Sequence, residues 1–104
     1  MVIWRDCWDV AVRVTEERLS HVFEHPEMQG QEGRIAETLG EPELVIQSRT
    51  DPDVRLYYRS CETSALGGGM YVCAVVKWRQ DDAFLITAYF CNRPKRGTVL
   101  WPSQ

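Results

Sequence analysis

The chain has 104 residues, with 15 acidic against 12 basic side chains and a formal net charge of -3. That length fits one domain able to bury a core without disulfide staples, and the charge excludes a uniformly basic nucleic-acid glove. No apolar run approaches the ~20 residues of a membrane helix, so no membrane partner is expected, and the opening MVIWRDCWDV carries an acid too early for a secretory signal.

Residues 1–14 hold Ile3, Trp4 and Trp8 and then the alternation Val10, Val12, Val14. This pattern predicts a short strand or extended arm ahead of a core spanning 15–104. Thr15 is a good N-cap, and Glu16 and Glu17 suit the positive end of a helix. The predicted helix runs over 15–25 and buries Leu19, Val22 and Phe23 as one stripe. Pro26 ends it, because the residue before a proline is pushed out of the α region. A second helix is predicted over 31–39, with Ile35, Ala36 and Leu39 as its apolar side, Gly40 as the stop and Pro42 at the exit.

From Glu43 the period changes. ELVIQSR (43–49) and VRLYYRS (54–60) read as strands flanking the turn Asp51-Pro52-Asp53. MYVCAVVKWR (70–79) is almost continuously apolar, which suits a central strand. AFLITAYFCN (83–92) should place Phe84, Ile86, Ala88 and Phe90 on one face and Leu85, Thr87, Tyr89 and Cys91 on the other. Gly67-Gly68-Gly69 reads as a hairpin loop, and TVLW (98–101) offers a further short edge strand. The expected fold is α+β, with the two N-terminal helices packed on a four-stranded antiparallel β-meander.

Charge is divided along the chain. Residues 1–43 carry ten acids against four bases, and residues 44–104 carry eight bases against five acids. The helices are therefore acidic, while the strands and the loop Arg93-Pro94-Lys95-Arg96-Gly97 are basic. Cys7, Cys61, Cys73 and Cys91 show no C-x-x-C spacing. Cys73 and Cys91 sit in apolar runs, where a thiol behaves as a small hydrophobe, so reduced cysteines and a cytoplasmic location are expected.

Three groups of residues stand out as candidate sites. Arg18, His21 and His25 share one predicted helix stripe, and the two histidines are the only ones in the chain. Histidine titrates near neutral pH, which suits acid–base or phosphate chemistry; two solvated histidines without a task are the plain alternative. HVFEH lacks the base of H-E-x-x-H, and no third ligand accompanies it, so neither a metal nor another cofactor is expected. Thr87 and Tyr89 give the last long strand a polar stripe suited to a cleft, although both are also ordinary strand formers. Arg55, Tyr57 and Arg59 interleave cations with an aromatic near Arg93, Lys95 and Arg96. Such a surface can grip phosphates and stack bases of single-stranded RNA, or be a solvated outer sheet face.

VTEERLSHVFEHPEM (14–28), IAETLGEPELVIQS (35–48), VRLYYRS (54–60) and FLITAYF…RPKRG…W (84–101) together resemble a phage- and bacteria-borne module of the Barnase–EndoU–colicin–RelE ribonuclease-fold superfamily. The resemblance spans about residues 14–101. Its most specific pieces are R-x-x-H-x-x-x-H-P-E and the I-T-A-Y strand followed by K-x-G. It implies a metal-independent endoribonuclease of toxin or effector type, with RNA as substrate and an antitoxin or immunity protein as a partner. By position it points to Arg18, His21 and His25 from the helix, Thr87 and Tyr89 from the strand, and Lys95 from the loop.

In the mechanism this implies, His21 takes the proton of a ribose 2′-hydroxyl, and His25 or Tyr89 protonates the leaving 5′-oxygen. Arg18 and Lys95 stabilise the phosphorane and Thr87 positions it, while Arg55, Tyr57, Arg59, Arg93 and Arg96 bind the strand. The alternative is a non-catalytic RNA- or protein-binding module on the same fold. A metal protein using the two histidines is a third option. Because RNA affinity rests on phosphate neutralisation, a net-acidic chain needs a focused basic site in any RNA-directed role.

Overall fold

The computed structural model describes residues 1–61 and 69–102. Its elements are β1 (Val2–Arg5), β2 (Ala11–Val14), α1 (Glu16–Val22), a 3₁₀ turn (Pro26–Met28), α2 (Glu32–Gly40), β3 (Leu44–Gln47), β4 (Val54–Cys61), β5 (Met70–Arg79), β6 (Asp82–Cys91) and β7 (Thr98–Trp101). Gly67 and Gly68 of the expected glycine loop lie outside the described residues. No helix among the described residues is long and apolar enough to cross a membrane.

The molecule is α+β, but the expected four-stranded antiparallel meander behind N-terminal helices is corrected. Among the described residues the sheet has seven strands, in the order β1-β2-β6-β5-β4-β3-β7, and it is mixed. Two additions account for the difference. Residues 1–14 fold as an antiparallel hairpin, β1 with β2, which precedes the helices. Its second strand then joins β6 in parallel, Val12 opposite Ala83 and Arg13 opposite Phe84. Arg13 Nε donates to Asp82 Oδ1 at 2.8 Å across this junction. At the other margin, β7 returns to pair antiparallel with β3.

The helices follow their capping chemistry. Thr15 Oγ1 accepts the Arg18 N–H at 3.1 Å, closing the first turn of α1. Pro26 forces His25 into an extended conformation, so α1 ends at Val22 instead of reaching residue 25. In α2, Ile35, Thr38 and Leu39 are buried. Both helices, with Val22, Met28, Ile35 and Leu39, cover one sheet face made of Val12, Val14, Val45, Tyr57, Ala74, Val76, Leu85 and Ala88. Apolar burial here is the main stabilising term, each fully buried aliphatic side chain contributing about 1.5–3 kcal/mol.

The opposite face carries a second apolar cluster, Ile46, Leu56, Tyr58, Cys73 and Val75, in which no helical residue takes part. Residues 92–97 cross this face, running from the end of β6 to the start of β7 beside Gln47. The Lys95 N–H donates to the buried Tyr58 Oη at 3.0 Å and pins the crossing. Gly97 is required where the crossing meets β3, because a methyl group there would collide with the Gln47 carbonyl oxygen.

Candidate nucleic-acid interface

The alternation expected for β6 holds only from Thr87 onward. A bulge sets Val75 opposite Thr87 but Val76 opposite Leu85, leaving Ile86 as the extra residue. Ala83 and Leu85 therefore face the helices together with Ala88 and Phe90. Thr87, Tyr89 and Cys91 take their places on the opposite face, across from Val75, Cys73 and Tyr71. The bulge keeps both halves of a long strand in register with a helix-covered core.

β4 divides differently from the expected outer basic face. Arg55, Tyr57 and Arg59 point toward the helices. Tyr57 is fully buried and donates its hydroxyl to Asp6 Oδ2 at 2.7 Å. The Arg55 guanidinium lies 4.0 Å from the centre of the Trp78 ring and 5.1 Å from that of Trp8, an aromatic environment that holds a cation without a carboxylate. Arg59 Nε donates to Glu37 Oε1 at 3.1 Å, and its Nη1 to the Glu41 carbonyl at 2.6 Å. The expected RNA-gripping surface is thus engaged in internal structure. Arg59 reaches Glu37 of α2 and the Glu41 carbonyl, Arg55 reaches the tryptophans, and Val54, Leu56 and Tyr58 pack on the opposite face.

The helical group is exposed and locally paired. His21 Nδ1 lies 3.2 Å from Glu24 Oε2, and His25 Nδ1 lies 3.9 Å from Glu27 Oε1. His25 falls beyond the end of α1, so the predicted three-residue stripe is broken. A groove of about 420 Å³ beside His21 is lined by Glu17, Arg18, Ser20 and His21 of α1 and by Glu24 just beyond its end. Among the described residues, no hydrogen bond, ion pair or shared cavity links Arg18, His21 or His25 to Thr87, Tyr89 or Lys95. The helical and strand halves of the expected constellation are held on different surfaces. No group of three His, Cys, Asp or Glu among the described residues is placed to hold a metal ion.

The structure gathers a different set. On the face opposite the helices, a cleft of about 470 Å³ is bounded by the 48–51 turn and the 92–97 crossing. Its floor is Val54, Leu56 and Val75, with Tyr89 at one side. Three exposed cations line it, Arg49, Lys95 and Arg96, and none of them makes an ion pair with another described residue. The single acid of the cleft, Asp51, accepts from Lys77 Nζ at 3.0 Å. That bond and the Asp53 N–H hold the Asp51 carboxyl below the usual carboxylate range. The cleft therefore carries uncompensated positive charge on a molecule that is negative overall.

Two hydroxyls stand beside Arg49. Ser48 Oγ and Thr50 Oγ1 are 3.1 Å apart, and Ser48 Oγ also accepts the Thr50 N–H at 3.3 Å. Burial and the neighbouring Cys73 push the Tyr89 phenol far above its ordinary value. It acts as a neutral hydrogen-bonding group and is not ionised near neutral pH. Burial pushes the Cys73 thiol up to about 12, which makes it a packing residue and not a nucleophile. Of the expected site residues, Tyr89, Lys95 and Arg96 line this cleft. Thr87 shares the sheet face, and Arg93 opens the loop that crosses it. Arg49, Ser48 and Thr50 were missed because nothing in the string QSRTDP singles them out from an ordinary turn; only the crossing loop makes them one wall of a cleft.

Compared with protein-family models, curated proteins and solved structures, the chain matches none.

Proposed function

We propose that this chain is a non-catalytic RNA-binding module, which takes a nucleotide of single-stranded RNA into the cleft between the 48–51 turn and the 92–97 crossing. The observation that carries this is the set of three cations without ion pairs among the described residues, Arg49, Lys95 and Arg96, around an apolar floor whose one acid is neutralised by Lys77. Arginine forks grip phosphate oxygens bidentately. Val54, Leu56 and the Tyr89 ring offer a surface on which a base can lie, as in other single-strand binders. The cleft volume falls within the ~300–1,000 Å³ of small-ligand sites, which suits one nucleotide. The resemblance to the ribonuclease-fold superfamily adds weight to RNA as the ligand class.

The described residues of the cleft supply no general base. Asp51 is bound to Lys77, and Tyr89 is held protonated. The test is binding of a labelled single-stranded RNA by anisotropy, in chelator, for the native chain, for an Arg49→Ala/Lys95→Ala/Arg96→Ala variant and for His21→Ala. Loss of at least about tenfold in affinity in the triple variant, with His21→Ala unchanged and the RNA intact, is the expected result. Undiminished binding by the triple variant refutes the cleft. Fragments ending in cyclic phosphate that vanish with His21→Ala would move the activity to the helix and restore an endoribonuclease.

A further inference from the structure

The ligand of this cleft can be specified more closely, on the footing that the RNA-binding proposal holds. We infer that the cleft recognises the end of an RNA strand bearing a terminal phosphate monoester, and does not follow a continuous strand. The first reason is charge matching at one place. Arg49, Lys95 and Arg96 converge on a cleft of about 470 Å³. An internal phosphodiester brings one negative charge, whereas a terminal monoester carries about -1.5 to -2 at neutral pH and three acceptor oxygens. Three cations crowded into one nucleotide's volume repel one another, and a dianion relieves that repulsion better than a monoanion does.

The second reason is the lack of a basic track leading away. Lys77 and Arg13 on this sheet face are neutralised internally, by Asp51 and Asp82. Arg79 acts on the charge of Asp51 and so belongs to the same end of the sheet, and Arg93 lies in the same crossing loop. The described remainder of the face is largely apolar, with Leu44, Tyr71, Ile86 and Cys91 around the buried cluster, and the Ser60 hydroxyl there is already bound to the Glu43 carboxylate. Helix surfaces carrying Glu16, Glu17, Glu24, Glu27 and Glu32 repel further phosphates. A continuous strand would find one good phosphate site and then none.

The third reason is the hydroxyl pair. In the Ser48–Thr50 contact either oxygen can be the donor, so one hydroxyl proton is available to an additional ligand oxygen. A monoester offers three unesterified oxygens against the two of a diester, so it can meet the cleft cations and still leave an oxygen for the hydroxyl.

The experiment compares short single-stranded RNAs of one sequence, about six nucleotides long, with a 5′-phosphate, with a 3′-phosphate, or with hydroxyls at both ends, together with the mononucleotide and a strand twice as long. One phosphorylated end should bind roughly tenfold tighter than the hydroxyl form, with no gain on doubling the length. The salt dependence should be shallow, with a log–log slope of about -1 to -1.4, the value for the roughly -1.5 to -2 charge of one terminal monoester on a single strand. The Arg49→Ala/Lys95→Ala/Arg96→Ala variant should abolish the preference. Equal binding of all three ends, with affinity rising with length, overturns end recognition while leaving RNA binding intact. A mononucleotide that binds as tightly as the phosphorylated strand keeps the monoester chemistry and overturns RNA as its source. Absence of binding by every RNA removes both proposals together.

Discussion

Asp6 shows how one buried acid can organise a chain terminus. It is 5% exposed, and its carboxylate accepts from the Trp8 N–H at 2.9 Å, the Val10 N–H at 2.8 Å and the Tyr57 hydroxyl at 2.7 Å. The two backbone bonds close the turn between β1 and β2, and the phenol ties that turn to the central sheet. Leaving one oxygen of a buried carboxylate without its partner costs about 1–3 kcal/mol. Tyr57→Phe should therefore lower Tm by roughly 10 °C in a domain of this size, with RNA affinity unchanged, because Tyr57 lies on the face away from the cleft. A Tm within about 1 °C of the native value, against the ~4–8 °C expected per kcal/mol, would show that the bond contributes nothing. The pairing was not legible in the sequence. Asp6 reads there as an ordinary surface acid and Tyr57 as part of a basic RNA-facing stripe, and only the long-range fold, 51 residues apart, makes them partners.

At the scale of elements, the 92–97 crossing does two jobs. It shields the second apolar cluster and carries Lys95 and Arg96 to the turn that bears Arg49. Its position depends on Gly97 lying against the Gln47 carbonyl and on the Tyr58–Lys95 bond. Gly97→Ala should push the loop off β3, costing about 1–3 kcal/mol as overpacking does. It should also weaken RNA binding roughly as far as the Lys95→Ala/Arg96→Ala pair, a comparison that binding and thermal melts on the same samples will decide. Helix and strand positions were largely readable, because capping residues, Pro26, Pro42 and the change of period are local signals. The parallel junction of β2 with β6 was not, since residues 12 and 83 carry no sign of each other. Nor was the bulge at Ile86, which inverts the face assignment of Phe84 and Leu85 while leaving the sequence alternation unbroken. The weak hold of the helix on His25 was legible from Pro26, which pushes the preceding residue out of the α region.

The molecule is polarised, with ten of its fifteen acids in residues 1–43 and the cleft cations Arg49, Lys95 and Arg96 on the face opposite the helices. The division was visible in the sequence, but which bases remain unpaired was not, since Arg13, Arg59 and Lys77 are neutralised by residues distant along the chain. Two of these pairs join remote segments through Asp51 and Asp82, whose carboxyls are held below their ordinary value of 3.8, chiefly by side-chain bonds to Lys77 and Arg13. Groups with depressed folded-state values stabilise fully above the unfolded value and lose that contribution as pH falls through the lower one. The pairs should accordingly be intact from pH 5 upward and open only in stronger acid. NMR titration of the two carboxyl carbons should give midpoints under 3.8, and a midpoint at or above it would show the pairs are not formed in solution. The tryptophans carry a last consequence of this two-faced build. Trp8 meets Trp78 and Trp101 edge-on, with ring centres 6.5 and 5.6 Å apart, and no tryptophan lines the cleft. Selectively excited tryptophan emission will therefore report the seating of the N-terminal hairpin, away from the cleft, while ligand occupancy is read from the labelled RNA, so folding and binding can be followed separately on one sample.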